Sequence, residues 1–375
     1  MMATLRVDIV HGFRTNPPSL NNLLQGLETI IDTPNIHVHS LSQPDFAGPD
    51  RLVAGVELAA LSFQTVATFA KVWARSDLVI IHKSLTKEFI EYIFGINVAE
   101  RLFLRGGPTI HTTYDADYVH FPEKTRYLYE RADAVVATSE AIYTEVEQIA
   151  GPDRVWYIPP SVDTDFFNPN VLVESSLETD SYVLGWVGNP DVHLDNLRYL
   201  AERLQGVETD DVTLRMLLGG GQLSQSVQAD LTDTGLTLDL VDHVAREKVP
   251  MVINSFDVGL APLRDTEFNR GRSSEKIREY MACGIPVIGS PVGENSRLIP
   301  DETGILATSP SEWRDAIAIM RNEDIRHSMG TAARRHVQCN YDTTVIAASF
   351  EELFNHVNGS ANADLLTETE TSQVM

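Results

Sequence analysis

Short runs of β-branched and aliphatic residues recur along the chain at wide intervals, separated by stretches long enough to be helices. That alternation is what βαβ units and parallel sheets require, so the fold class read from it is α/β. In the first half, strands are expected at 5–10, 36–41, 78–82, 109–112, 134–138 and 155–158. A second set follows at 182–187, 213–218, 236–241, 258–261, 287–289 and 305–307. Asp77, Asp133 and Asp257 each stand directly before a strand and break the preceding helix. Ser309-Pro310-Ser311-Glu312 has the form of a capping box with proline at the first helical position, which starts a helix there.

At about 100–200 residues per domain, a chain of 375 residues holds two domains. The architecture repeats without the sequence repeating. Pro159-Pro160-Ser161-Val162-Asp163 and the polar, acidic stretch 174–181 mark the linker, giving domains over 1–172 and 182–340. A last helix is expected to end before Asn358-Gly359, and the Ser/Thr/Glu-rich residues 359–375 read as disordered. Two doubly wound domains bring strand C-terminal edges and helix N-termini around an interdomain cleft, a setting that favours a phosphate-bearing ligand.

Charge narrows the partners. Acidic residues number 53 against 29 basic, a formal charge of -24, which repels nucleic acid and anionic lipid. Lysine occurs only at 71, 83, 87, 124, 248 and 276, so 29 − 6 leaves 23 arginines, and the balance reads as salt adaptation. The two cysteines, Cys283 and Cys339, form no framework, match no metal-ligand spacing and are expected to be buried or inert. The histidines do not cluster as a metal site, and no resident cofactor is expected. The start of the chain lacks the basic, long apolar pattern of a signal peptide, and a cytoplasmic setting follows from that and from the cysteines. The segment 52–73 is interrupted by Glu57, Gln64 and Lys71 and reads as an amphipathic helix, which leaves weak peripheral membrane contact open.

The densest candidate chemistry lies between Asp257 and Ser290, which reads as strand, basic loop, helix, strand. Ser273 or Ser274 can cap that helix, and Arg270, Arg272 and Lys276 can converge with its N–H groups on a diphosphate. Glu275 and Glu279 share a face, where a carboxylate can accept both hydroxyls of a ribose. A solvated helix with Glu/Lys/Arg pairs and a flexible loop would show the same spacing.

Glu279-Tyr280-Met281-Ala282-Cys283-Gly284-Ile285-Pro286-Val287-Ile288, followed by Ser290-Pro291-Val292-Gly293-Glu294-Asn295, resembles the donor-site segment of family-4 glycosyltransferases, the glycosyl transferases group 1. The likeness extends to 111–118, to Ile158-Pro159-Pro160-Ser161-Val162-Asp163, to Gly185-Trp186-Val187-Gly188 and to Phe268-Asn269-Arg270-Gly271-Arg272. It implies a GT-B fold: two Rossmann-like, doubly wound domains facing each other across a cleft, with a final helix over 341–358 crossing back to the first domain. It also implies a retaining transfer from a nucleoside-diphosphate sugar, as donor substrate, to a saccharide, lipid-linked glycan or other hydroxyl acceptor. In that pattern Glu279 holds the ribose, and Gly188 and Asn189 begin the glycine turn near the diphosphate. Arg270, Arg272, Ser274 and Lys276 surround the same phosphates.

Two departures stand out. The family's usual pair of glutamates eight apart meets Gly271 at its first position, and the turn Gly188-Asn189-Pro190-Asp191-Val192-His193 carries no fixed cation. Arg270, Arg272 and Lys276 would then carry the charge that a leaving diphosphate needs. In the first domain, Asp115 stands where the resemblance puts an aspartate near the anomeric carbon and acceptor hydroxyl, whereas Tyr114 occupies the usual histidine position and the candidate His111 lies earlier. Turn chemistry and a satisfied strand-end histidine explain Asp115 and His111 equally well. His82-Lys83, His11-Gly12-Phe13-Arg14 and Gly219-Gly220-Gly221 are weaker ligand-side candidates. A non-catalytic sugar-nucleotide-binding relative and a nucleotide-sugar epimerase are the alternatives that composition and motifs leave standing.

Overall fold

The computed structural model describes residues 5–11, 18–41, 65–83, 98–104 and 107–372. The chain divides into two compact units, Met1–Pro160 with Thr343–Met375, and Ser161–Asp342.

The first unit is a parallel sheet of β1 (Val7–His11), β2 (Ile36–Ser40), β3 (Leu78–His82), β4 (Thr109–Thr113), β5 (Ala134–Ala137) and β6 (Val155–Tyr157), in the order β2-β1-β3-β4-β5-β6. β1, β3, β4 and β5 are buried along their whole length, because helices cover both faces of the sheet. One face packs Val7, Ile9, Leu78 and Ile80 against Leu20, Leu23 and Leu27 of the helix Pro18–Leu27 and against Phe350, Leu353 and Phe354 of the last helix. The other face packs Val79 and Ile81 against Phe103, Leu128, Tyr129 and Ile142.

The second unit is a parallel sheet of β7 (Tyr182–Gly188), β8 (Val212–Leu218), β9 (Thr237–Val241), β10 (Val258–Ala261), β11 (Val287–Gly289) and β12 (Gly304–Leu306), in the order β12-β11-β10-β7-β8-β9. The winding reverses between β7 and β10. In doubly wound sheets, ligands bind beyond the carboxyl ends of the strands at that reversal.

The three aspartates before strands do more than end helices. Asp77 accepts the Arg6 N–H at 2.8 Å, Asp133 accepts the Thr109 N–H at 2.7 Å, and Asp257 accepts the Val183 N–H at 2.8 Å. Each carboxylate thus satisfies an N–H at the entry of a neighbouring strand. The capping box at Ser309 is present, with Ser309 Oγ accepting from Glu312 N at 3.2 Å and Glu312 Oε2 accepting from Ser309 N at 2.8 Å.

Three expectations change. The boundary falls after Pro160 rather than at 172, because Val162 and Phe167 are buried in the second unit's core and Thr164 donates to Asp342 at 2.7 Å. The last helix runs Thr343–Ser372, through Asn358-Gly359 and into the stretch expected to be disordered, whose residues 373–375 lie outside the described residues. Glycine inside a helix costs only about 1 kcal/mol, and Ala361, Ala363, Leu365 and Leu366 favour the helix beyond it. Cys283 is buried as expected, but Cys339 is exposed. Of the segment 52–73, residues 52–64 lie outside the described residues, as do Gly12, Phe13 and Arg14, whereas 65–73 are helical. Among the described residues no helix is long and apolar enough to cross a membrane.

The helix Glu275–Ala282 lies close on its sheet, since a Cβ at Gly259 of β10 would run into the ring of Tyr280. We predict that Gly259→Ala lowers stability by about 1–3 kcal/mol through overpacking. Gly26→Ala, in a helix with no atom within 4 Å of the added carbon, should act in the opposite direction. Denaturant midpoints of the two variants check this; an unshifted midpoint for Gly259→Ala would show that the ring yields freely.

Candidate functional site

The strand β7 ends in Trp186-Val187-Gly188, and the helix Glu275–Ala282 begins opposite it. Tyr280 couples the two elements, because its Oη accepts the Val187 N–H at 2.8 Å beneath the Gly188 turn. One turn back along the helix, the Lys276 ammonium sits over the indole of the buried Trp186, 4.5 Å from the ring centroid. A Cβ at Gly188 would lie 2.9 Å from that indole and 3.1 Å from Lys276 Nζ, so only glycine fits between strand end and cation. The loop after β8 closes the same corner: Gly219 N donates to Gly188 O at 2.8 Å. Asn189 turns the chain by accepting from Asp191 N at 2.9 Å.

Arg272 supplies the charge that the Gly188 turn lacks in sequence. Its Nη2 donates to Val192 O at 3.2 Å, its Nη1 meets His193 Nε2 at 3.3 Å, and its Nε donates to Asn269 Oδ1 at 3.0 Å. A residue from the 264–274 loop thereby reaches the 188–193 turn. Arg270 does not join it. Its guanidinium makes a two-pronged pair with Asp265, at 2.7 and 3.0 Å, and is 59% exposed. Arg270 is the last residue of the short helix Glu267–Arg270, whereas Arg272 lies beyond its Gly271 cap.

Ser274 occupies the N-cap position but does not cap the helix with its side chain. Its backbone is left-handed, φ 55 and ψ 40, and its Oγ donates to Asn295 Oδ1 at 2.7 Å. Asn295 is itself held by donating to Ala261 O at 3.0 Å. A non-glycine residue in this conformation is strained and persists where the surroundings over-determine it, which is common at ligand sites.

The half-buried pair Lys276 and Glu279 are both strongly perturbed. Burial, and then Arg272, lower Lys276 to about 7, while Glu279 opposes the shift. Burial and the charge of Glu275 push Glu279 up to about 7, against Arg246 and Lys276. Each retains an exposed edge, but protein around the charged head removes most of its hydration. A site that destabilises its own ammonium in this way is prepared for an added anion, whose charge would restore it.

In the first unit, Asp115 follows β4 and pairs with Lys83 at 2.9 Å, where Lys83 has a left-handed φ of 57. Asp117 is pushed up to about 6 by burial and by the Asp115 charge. Lys83 also faces the Tyr114 ring at 5.6 Å. His111 is not part of this group. It is 2% exposed, its Nδ1 lies 3.1 Å from Ile81 O, and its ring packs against Tyr129. Burial lowers it to about 4, which makes it a neutral core side chain inside the sheet.

Sequence reasoning missed Trp186, His193, Asn269 and Asn295 as parts of the site. Trp186 acts through its ring, and His193, Asn269 and Asn295 through polar contacts, and no period or spacing announces any of them. Among the described residues no three His, Cys, Asp or Glu side chains are arranged to hold a metal ion.

Residues 181–322 match the family model for glycosyl transferases group 1, a span containing the whole site of the second unit. The chain is 26% identical over 343 residues to a D-inositol 3-phosphate glycosyltransferase of Paenarthrobacter aurescens (strain TC1), covering 81% of this chain and 79% of that one. In fold it is similar to Anabaena Alr3699/HepE in complex with UDP and glucose, with a TM-score of 0.69 and 14% identity over 94% of this chain and 99% of that one. A sucrose-phosphate synthase from Thermosynechococcus elongatus has a TM-score of 0.70 and 16% identity, over 95% and 100% of the two chains. Residues 181–322 therefore match the glycosyl transferases group 1, and the chain is a glycosyltransferase with the GT-B fold.

Proposed function

We propose that this glycosyltransferase moves a sugar from a nucleoside-diphosphate donor, held by the second unit, to a hydroxyl of a saccharide or polyol acceptor recognised by the first, with retention of anomeric configuration. The observation that carries the donor reading is the corner where Lys276, Arg272 and the Gly188 turn meet beyond the carboxyl ends of β7 and β10. Two cations and the backbone of a glycine turn are what a departing diphosphate requires as its charge develops. Glu279, one helical turn from Lys276, is the acceptor for the ribose hydroxyls. That UDP and glucose accompany a structure of this fold supports the same donor class.

On the acceptor side, Asp115 is the group that orients the attacking hydroxyl, with Lys83 fixing the carboxylate and Asp117 beside it. In a front-face displacement the bond from anomeric carbon to phosphate oxygen breaks as the acceptor oxygen bonds to the same face. The departing phosphate oxygen takes the hydroxyl proton, so no strong protein base is needed. His111, buried and neutral, has no part in this reading. The relative from Paenarthrobacter aurescens is named for a phosphorylated polyol, which makes a small polyol the first acceptor to try.

Incubation with radiolabelled UDP- and GDP-sugars, with NMR of the product, should give a glycoside of unchanged anomeric configuration. Inversion would overturn the front-face reading, and inertness toward every common sugar nucleotide would overturn the donor class. Glu279→Ala should weaken UDP and GDP binding by about 1–3 kcal/mol, and an unchanged Kd would remove Glu279 from the site. Lys276 generates a pH test. Its folded pKa of about 7 leaves it mostly neutral at pH 8, and a bound diphosphate favours the charged form. Binding of UDP at pH 8 should therefore take up close to one proton, and affinity should fall as pH rises above 7. Calorimetry in buffers of different ionisation enthalpy measures the uptake; its persistence in Lys276→Met would assign it elsewhere.

A further inference from the structure

We propose that His193 is a positioning residue for donor binding: as a neutral acceptor it holds the Arg272 guanidinium on the Gly188–His193 turn. The inference rests on the donor reading above and names the side chain that makes the relocated cation effective. A guanidinium can only donate and a neutral imidazole has one acceptor nitrogen, so the 3.3 Å contact between Arg272 Nη1 and His193 Nε2 assigns that acceptor to Nε2, and Asn196 Nδ2, 3.4 Å from Nδ1, then makes a contact without a hydrogen bond. Burial, with Lys276 and Arg272 close by, drives the imidazole far below its ordinary pKa and keeps it so. The ring is fixed from its other side by an edge-to-face contact with Trp186, centroids 5.7 Å apart at 83°. The same indole carries Lys276 on its face. Trp186 and His193 therefore form one scaffold that sets the positions of both cations.

This arrangement gives a physical reading of the cation-free turn. Arg272 and the titratable Lys276 already face this corner, and a further cation on the turn would repel Arg272 and disfavour the charged form of Lys276 still more. An acceptor on the turn instead draws in the arginine that the opposite loop delivers. Asn269 and Val192 share the guanidinium, so loss of the imidazole would loosen Arg272 without releasing it.

The test is UDP binding to the full chain by calorimetry, for wild type, His193→Leu, His193→Gln, Arg272→Met and the double variant His193→Leu/Arg272→Met. His193→Leu should weaken binding by about 10-fold, the scale of one hydrogen bond to a charged group. His193→Gln, which retains an acceptor oxygen, should stay within about 3-fold of wild type, and His193→Leu should add almost nothing once Arg272 is methionine. A packing role alone would lower the melting temperature of both His193 variants and leave their effects additive with Arg272→Met. Wild-type affinity in His193→Leu, equal losses in the Leu and Gln variants, or additivity in the double variant would each overturn the role of His193. If wild type binds no nucleoside diphosphate, the donor reading itself fails, an outcome distinct from those three.

Discussion

The seating of Tyr280 is the constraint on which the second unit's site depends. Its ring lies against β10 where Gly259 offers no side chain, and its Oη accepts the N–H of Val187 in β7. A single side chain thus spans the two strands on either side of the winding reversal and fixes the helix that carries it. Lys276 and Glu279 lie four residues before and one before Tyr280, so their distance from the Gly188 turn follows from that seating. Without it, the helix would still form from its own residues, but its charged groups would have no defined relation to the strand ends.

Electrostatics then acts on a prepared frame. Lys276 loses hydration on burial and is repelled by Arg272, and Glu279 loses hydration on burial and is repelled by Glu275, so both charged states are disfavoured in the unliganded chain. Such groups reduce stability in return for readiness toward a ligand, a trade common at binding sites. Arg270, by contrast, sits in solvent with Asp265, where its charge does little for either folding or the site. Two arginines only two positions apart, one inside a short helix and one past its end, thus lie in different environments.

Much of the fold was legible in the sequence. Among the described residues the twelve strands are all parallel and most are buried, so they announce themselves as short apolar runs, and the capping box at Ser309 is a local arrangement that local residues decide. The three aspartates before strands were visible as punctuation, but their clamping of neighbouring strands was not, since the partners Arg6, Thr109 and Val183 are 24 to 74 residues away. The same limit explains the linker. Residues 161–172 look like connecting chain, and only burial of Val162 and Phe167 assigns them to the second unit.

The sequence alone determined which residue types stand near the site: a glycine turn without a cation, two arginines, a lysine and a glutamate at helical spacing, and an aspartate after β4. Those follow from composition and period, which act over a few residues. Tertiary structure decided which of them meet. It brought Arg272 to the turn and left Arg270 in solvent, gave Ser274 to Asn295 instead of the helix end, and enclosed His111 within the sheet. Each of those outcomes depends on partners distant in the chain, and an amino-acid order carries no direct record of distances that only packing creates.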